Sequence, residues 1–82
     1  MSRRSKVARA FGDVLRAARK EAGGLSQEEL AFRADVDRTY PSLLERGLRT
    51  PSLDALLRLA RALDIAPAML VTMTERNLTG EP

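Results

Sequence analysis

The sequence predicts an all-α domain of five short helices around one core, and three observations lead there. Apolar residues make up 44% of the 82-residue chain but aromatics only 4%, so the buried material is mostly Leu and Ala, which favour helix and close packing. Apolar positions recur at the i, i+3, i+4, i+7 spacing of one helix face. Helix start and stop residues punctuate these segments: Ser26, Asp37, Ser52 and Pro67 ahead of the last four, Gly23-Gly24 and Gly47 behind the first and third.

The first helix, roughly Lys6 to Ala22, carries Val7, Ala8, Phe11, Val14, Leu15 and Ala18 in one stripe. Gly23-Gly24 ends it, since glycine takes the left-handed terminal conformation without steric cost. Ser26 and Glu29 then have capping-box spacing, opening a helix of about Gln27 to Ala34 that buries Leu30, Ala31 and Ala34. After the turn Asp35-Val36-Asp37, Asp37 is the expected N-cap of a third helix from Arg38 to about Arg46, with Pro41 and Leu44 inward. Pro41 would then be the fourth helical residue, where it lacks an N–H and crowds the Asp37 carbonyl. A slightly opened first turn is therefore expected. Gly47 stops this helix. Ser52 caps a fourth, with Leu53, Leu56, Leu57, Ala60 and Leu63 as its expected apolar stripe. Pro67 suits the first position of a fifth helix carrying Met69, Leu70 and Met73. The division expected is a basic arm over residues 1–6, a helical domain over 7–74 and a flexible tail over 75–82.

Composition removes several chemistries. There is no Cys and no His, hence no disulfide, no imidazole ligand or base and no Cys-rich zinc site. No Gly-rich phosphate loop or acid cluster at metal-ligand spacing is present, and Asp35 and Asp37 are explained by capping. The expectation is a non-enzyme with no metal and no cofactor. No apolar run approaches the ~20 residues of a membrane span, and charges through residues 7–21 exclude a signal-peptide core. The expected location is cytoplasmic. Net charge is +3, and its distribution is uneven. Residues 1–24 carry seven Lys/Arg against Asp13 and Glu21, a balance of +5, whereas residues 25–82 carry seven Arg against nine acids, −2. A basic end of this kind favours polyanions.

Two short helices joined by a tight turn form the helix-turn-helix arrangement, in which the second helix offers its N-terminal side chains to base edges in the major groove. The series Gly24-Leu25-Ser26-Gln27-Glu28-Glu29-Leu30-Ala31, Val36-Asp37-Arg38-Thr39-Tyr40, Leu44-Glu45-Arg46-Gly47 and Arg49-Thr50-Pro51-Ser52-Leu53 closely resembles the Cro/cI (XRE) helix-turn-helix family. The Asp37-Arg38-Thr39-Tyr40 stretch is particularly similar to controller proteins of restriction–modification systems. The resemblance implies a compact lambda-repressor-like fold with helices 2 and 3 as the motif. It also implies a transcriptional regulator of double-stranded DNA.

On that reading Arg38, Thr39 and Ser42 are the base-reading candidates. Arg38 is suited to a bidentate pair with guanine O6 and N7. Gln27, Tyr40, Arg46 and Arg49 are the phosphate candidates, since contacts of that kind set register rather than read sequence. Arg3, Arg4 and Lys6 form a basic arm of the same character. The resemblance also pairs Arg19 with Glu45, linking helices 1 and 3. Surplus apolar surface on the fifth helix, at Met69, Leu70 and Met73, is the expected homodimer surface, which fits a small core that gains from association and a two-fold operator. The rival readings are a helical protein-interaction module and an autoregulating antitoxin, each using the same fold.

Overall fold

The computed structural model describes residues 5–80. Five helices follow one another: α1 (Lys6–Glu21), α2 (Gln27–Ala34), α3 (Tyr40–Glu45), α4 (Leu53–Leu63) and α5 (Pro67–Thr79). No strand occurs among the described residues. The all-α prediction therefore holds. α1 packs against both α5 and α3, while α2 packs on α4. Phe11, Leu15, Leu30, Leu44, Leu59, Leu63 and Leu70 meet at the centre.

Local signals account for most of the boundaries. Ser5 caps α1 by accepting from the Ala8 N–H at 2.9 Å. Ser26 accepts from the Glu29 N–H at 3.0 Å, and the Glu29 carboxylate accepts from the Ser26 N–H at 2.9 Å, completing the capping box. The Ser26 backbone N–H first, and the Ser26 hydroxyl second, hold the Glu29 carboxyl below the usual carboxylate range. Ser52 caps α4 through the Ala55 N–H at 3.0 Å. Replacing Ser26 with Ala orphans one backbone donor, so thermal unfolding of Ser26→Ala is expected to show a loss of about 1 kcal/mol, or a melting point lower by about 4–8 °C.

The start of α3 differs from the expectation. Residues 37–39 form a turn in which the Tyr40 N–H reaches the Asp37 carbonyl at 2.9 Å. The Asp37 carboxylate accepts from the Thr39 N–H at 2.8 Å and also from the Thr39 hydroxyl. The regular helix begins only at Tyr40, which makes Pro41 its second residue. An N–H there has no intrahelical acceptor to lose, so the proline breaks no helix bond, and the opened first turn that was expected takes the form of this turn ahead of α3.

Two apolar faces also differ. In α4 the inward residues are Ala55, Leu59, Ala60 and Leu63 with Leu56 half-buried, while Leu53 and Leu57 are 72% and 45% exposed. Eight of the eleven residues of α4 are Leu or Ala, so periodicity alone does not single out a face. In α5, Leu70 is fully enclosed by the core and Met73 is half-buried, while Met69 stays 47% exposed. Leu70 is therefore removed from any surface for pairing. α5 also runs on to Thr79, beyond the predicted end of the domain, and the Asn77 side-chain amide donates to the Ala10 carbonyl of α1 at 3.1 Å.

Candidate nucleic-acid interface

The first turn of α2 and the start of α3 border one open groove of about 320 Å³. Gln27, Glu28, Arg38, Thr39, Ser42, Leu43 and Arg46 line it. All three base-reading candidates and two of the four phosphate candidates thus share a single surface. Arg38 and Thr39 sit on the turn ahead of α3 and are exposed, while Ser42 is half-buried one turn further on. Tyr40 is half-buried against the core, and Arg49 is exposed in the α3–α4 loop. Neither lines the groove. Lys6 is exposed on the first turn of α1, whereas Arg3 and Arg4 lie outside the described residues.

Asp37 shapes the turn ahead of α3. Its bonds from Thr39, hydroxyl first and backbone second, hold its carboxyl below the usual range. The Thr39 hydroxyl proton is committed to Asp37, on a residue that is otherwise exposed.

A buried node supports the groove from beneath. The Glu45 side chain has no solvent exposure and receives Arg19 Nε on Oε2 at 2.7 Å and Arg19 Nη2 on Oε1 at 3.0 Å. This is the predicted bidentate pair between α1 and α3. Arg19 Nη1 also donates to the Leu25 carbonyl at 2.7 Å, tying in the α1–α2 loop. Gln27 Nε2 donates to Glu45 Oε1 at 3.0 Å, and Arg16 Nε lies 3.4 Å from the same oxygen. Burial pushes the Glu45 carboxyl up, but the bonds from Arg19 and Gln27 and the nearby positive charges outweigh it, and the net shift is downward.

Sequence reasoning missed two features here. One is the second role of Gln27, whose amide is oriented by a residue eighteen positions away. The other is Glu28, whose carboxylate lies 3.7 Å from Arg38 Nη1. A signal for Glu28 does exist in the sequence: Ser26 and Glu29 complete the capping box, so Glu28 has no capping role. Among the described residues, no group of three acidic side chains is placed to hold a metal, and no helix is long and apolar enough to cross a membrane.

The family described as helix-turn-helix matches residues 15–70. The control protein C.BamHI of Bacillus amyloliquefaciens is 42% identical over 64 residues, which cover 78% of this chain and 79% of that one. The restriction–modification controller protein C.AhdI of Aeromonas hydrophila is 51% identical in structural alignment, with a TM-score of 0.72 over 77% of this chain and 94% of that chain. The clp gene regulator ClgR of Corynebacterium glutamicum aligns with a TM-score of 0.83 at 27% identity, over 94% of this chain and 81% of its own.

Proposed function

The chain belongs to the helix-turn-helix family, in its Cro/cI branch, and from that premise we propose that it is a sequence-specific transcriptional regulator that lays α3 in the major groove of double-stranded DNA. The observation that carries this reading is the shared groove: Arg38, Thr39 and Ser42 stand beside Gln27 and Arg46 on one face. A surface that joins base-edge donors to phosphate donors can fix register and read sequence at once.

The roles follow from the chemistry. Arg38, on an exposed turn, offers its fork to guanine O6 and N7. Thr39, its hydroxyl proton held by Asp37, presents its methyl to a thymine methyl. Ser42 reaches a base edge or a phosphate. Gln27 gives one amide N–H to Glu45 and keeps the second for a phosphate, beside the backbone amides of the α2 N-terminus. Tyr40 through its hydroxyl, and Arg46 and Arg49 as cations, hold the DNA backbone. The basic residues 1–6 extend that contact. Catalysis has no part in this reading, and the place of action is the cytoplasm.

Two copies on a palindromic operator complete the reading, with half-sites about 34–36 Å apart. The exposed Met69 and half-buried Met73 of α5 are the proposed contact. A relative such as C.AhdI, a restriction–modification controller protein by name, supports the same kind of role for this chain.

Selection of bound duplexes from a random pool, followed by titration at several salt concentrations, tests the proposal. The expected result is a near-palindromic site whose affinity falls steeply with salt through counterion release. Arg38→Ala is expected to weaken that site about 5- to 150-fold and to flatten preference at one base position per half-site. A pool from which nothing is enriched would sink the regulator reading.

A further inference from the structure

Glu45 is bonded more fully than its charge requires. One negative charge, on a side chain with no solvent exposure, meets two guanidinium groups. Arg19, 13% exposed, binds it through two nitrogens at 2.7 and 3.0 Å. Arg16, 46% exposed, brings only Nε, 3.4 Å from Oε1. Arg19 alone neutralises the carboxylate and occupies both of its oxygens. The node therefore carries one surplus positive charge, and that charge sits on the arginine nearer to solvent. Gln27 Nε2 donates to the same Oε1 at 3.0 Å. Arg16 and Gln27 thus share one acceptor and stand side by side, and Gln27 lines the groove from the first turn of α2. Nε is the one atom of Arg16 with a side-chain partner among the described residues, so both Nη groups are left for another acceptor.

We infer that Arg16 is a DNA-backbone residue contributed by α1: with Nε held on Glu45, its Nη groups take the phosphate that Gln27 approaches from α2. The inference rests on the proposal that the groove is the face that meets DNA, and it carries the contact surface beyond α2 and α3 to the first helix. An arginine free in solvent gives up rotamer freedom when it grips an anion, which is one reason surface ion pairs are weak. Here the bond to Glu45 restricts the side chain before DNA arrives, and preorganisation of that kind lowers the cost of binding. The guanidinium fork then offers a phosphate two parallel charge-assisted bonds. Because Glu45 is already matched by Arg19, it does not compete for the full charge of Arg16. A phosphate contact positions the duplex without reading it, so its contribution is the same on every sequence.

The test uses the full chain, the duplex enriched by the wild-type protein from a random pool, and a scrambled duplex of equal length, each titrated at several salt concentrations. Arg16→Met keeps the stem and removes the charge, and Arg16→Gln serves as a second neutral variant. Since Arg19 and Gln27 still hold Glu45, the melting point of each is expected to stay within about 4 °C of wild type. Affinity is expected to fall about tenfold on both duplexes alike, the lower end for a hydrogen bond to a charged group. The slope of log-affinity against log-salt is expected to become shallower by about 0.9, the loss of one phosphate contact. Arg16→Lys returns the charge without the fork, and is expected to restore the slope but only part of the affinity. Arg61→Met removes an equal charge from the exposed side of α4 and is expected to leave the slope unchanged. An unaltered slope in both neutral variants, or an equal change in Arg61→Met, overturns the inference. A loss confined to the enriched duplex overturns it as well, because Arg16 would then be reading bases. If the pool enriches no sequence, the regulator reading fails by itself, and the scrambled duplex still decides the case of Arg16.

Discussion

Arg19→Ala is expected to cost this domain about 3 kcal/mol of folding stability, because removing one partner of a buried ion pair leaves the other charge buried and uncompensated. Glu45 has no solvent exposure on its side chain and takes both Arg19 bonds at 3.0 Å or less. Gln27 and Arg16 remain within 3.4 Å, which places the loss at the lower end of the range for such deletions. For a domain of this size about 3 kcal/mol is a large share of the total. Thermal unfolding should register it as a drop of about 12–24 °C. A loss below about 1 kcal/mol would mean that the pair contributes no more than a surface bridge. Replacing both partners, Arg19→Met with Glu45→Leu, is expected to recover much of the loss, since no buried charge then remains. The recovered protein should nonetheless bind DNA less well than wild type, because Gln27 has lost the acceptor that orients its amide.

The same node governs acid sensitivity. Burial raises the Glu45 carboxyl, while Arg19, Gln27 and Arg16 lower it by more, so it titrates below its unfolded value. A carboxylate shifted this way adds stability that is fully present above the unfolded pKa of about 4.3, and loses it as pH falls through the folded one. Glu29 and Asp37 are lowered too, but neither touches Arg19. In Arg19→Ala the burial effect on Glu45 is less opposed, its folded pKa rises, and its share of the acid loss shrinks. The stability curve below about pH 4.5 should therefore be shallower in Arg19→Ala than in the wild type. Equal slopes would show that Glu45 is not the group being titrated.

What could be read from the sequence divides by range. The α1 stripe, the Ser26–Glu29 capping box, the Ser52 cap and Pro67 are devices read within one element, and they stand where they were expected except that Val7 of the stripe is 47% exposed. Boundaries set by distant partners were not visible. α5 continues past its expected end, and there Asn77 meets the Ala10 carbonyl, 67 positions away. α4 exposes Leu53 and Leu57 because a helix so rich in Leu and Ala has no unique apolar face until its neighbours choose one. α3 starts at Tyr40 rather than Arg38 because Asp37 organises a turn through its side chain, a use that the N-cap reading captured in kind but not in extent. In the candidate interface, the shared location of Arg38, Thr39, Ser42, Gln27 and Arg46 was implied by the family resemblance. Arg19 and Glu45 came from family resemblance, since 26 positions separate them. The attachment of Gln27 to Glu45 needed coordinates, because an amide at a helix start has many possible partners.

Gly12→Val is expected to destabilise the domain by at least about 3 kcal/mol, the upper end of overpacking costs. Gly12 lies in the middle of α1, where glycine is otherwise about 1 kcal/mol worse than alanine, so its presence points to a close approach. A Cβ at this position would lie 2.5 Å from the Leu44 carbonyl oxygen and 2.8 Å from that of Glu45. Both are backbone atoms of the last turn of α3, so no side chain can swing aside, and the helices must separate. Their separation would strain the Arg19–Glu45 pair, which spans the same contact, and would tilt the groove face that α3 carries. The control is Ala17→Val, on the exposed side of the same helix, which should cost only the propensity difference of about 0.5 kcal/mol. Chemical denaturation of the two variants decides the matter. Similar midpoints would mean that α1 and α3 can part without penalty, and that the glycine is not what allows α3 to sit so near α1.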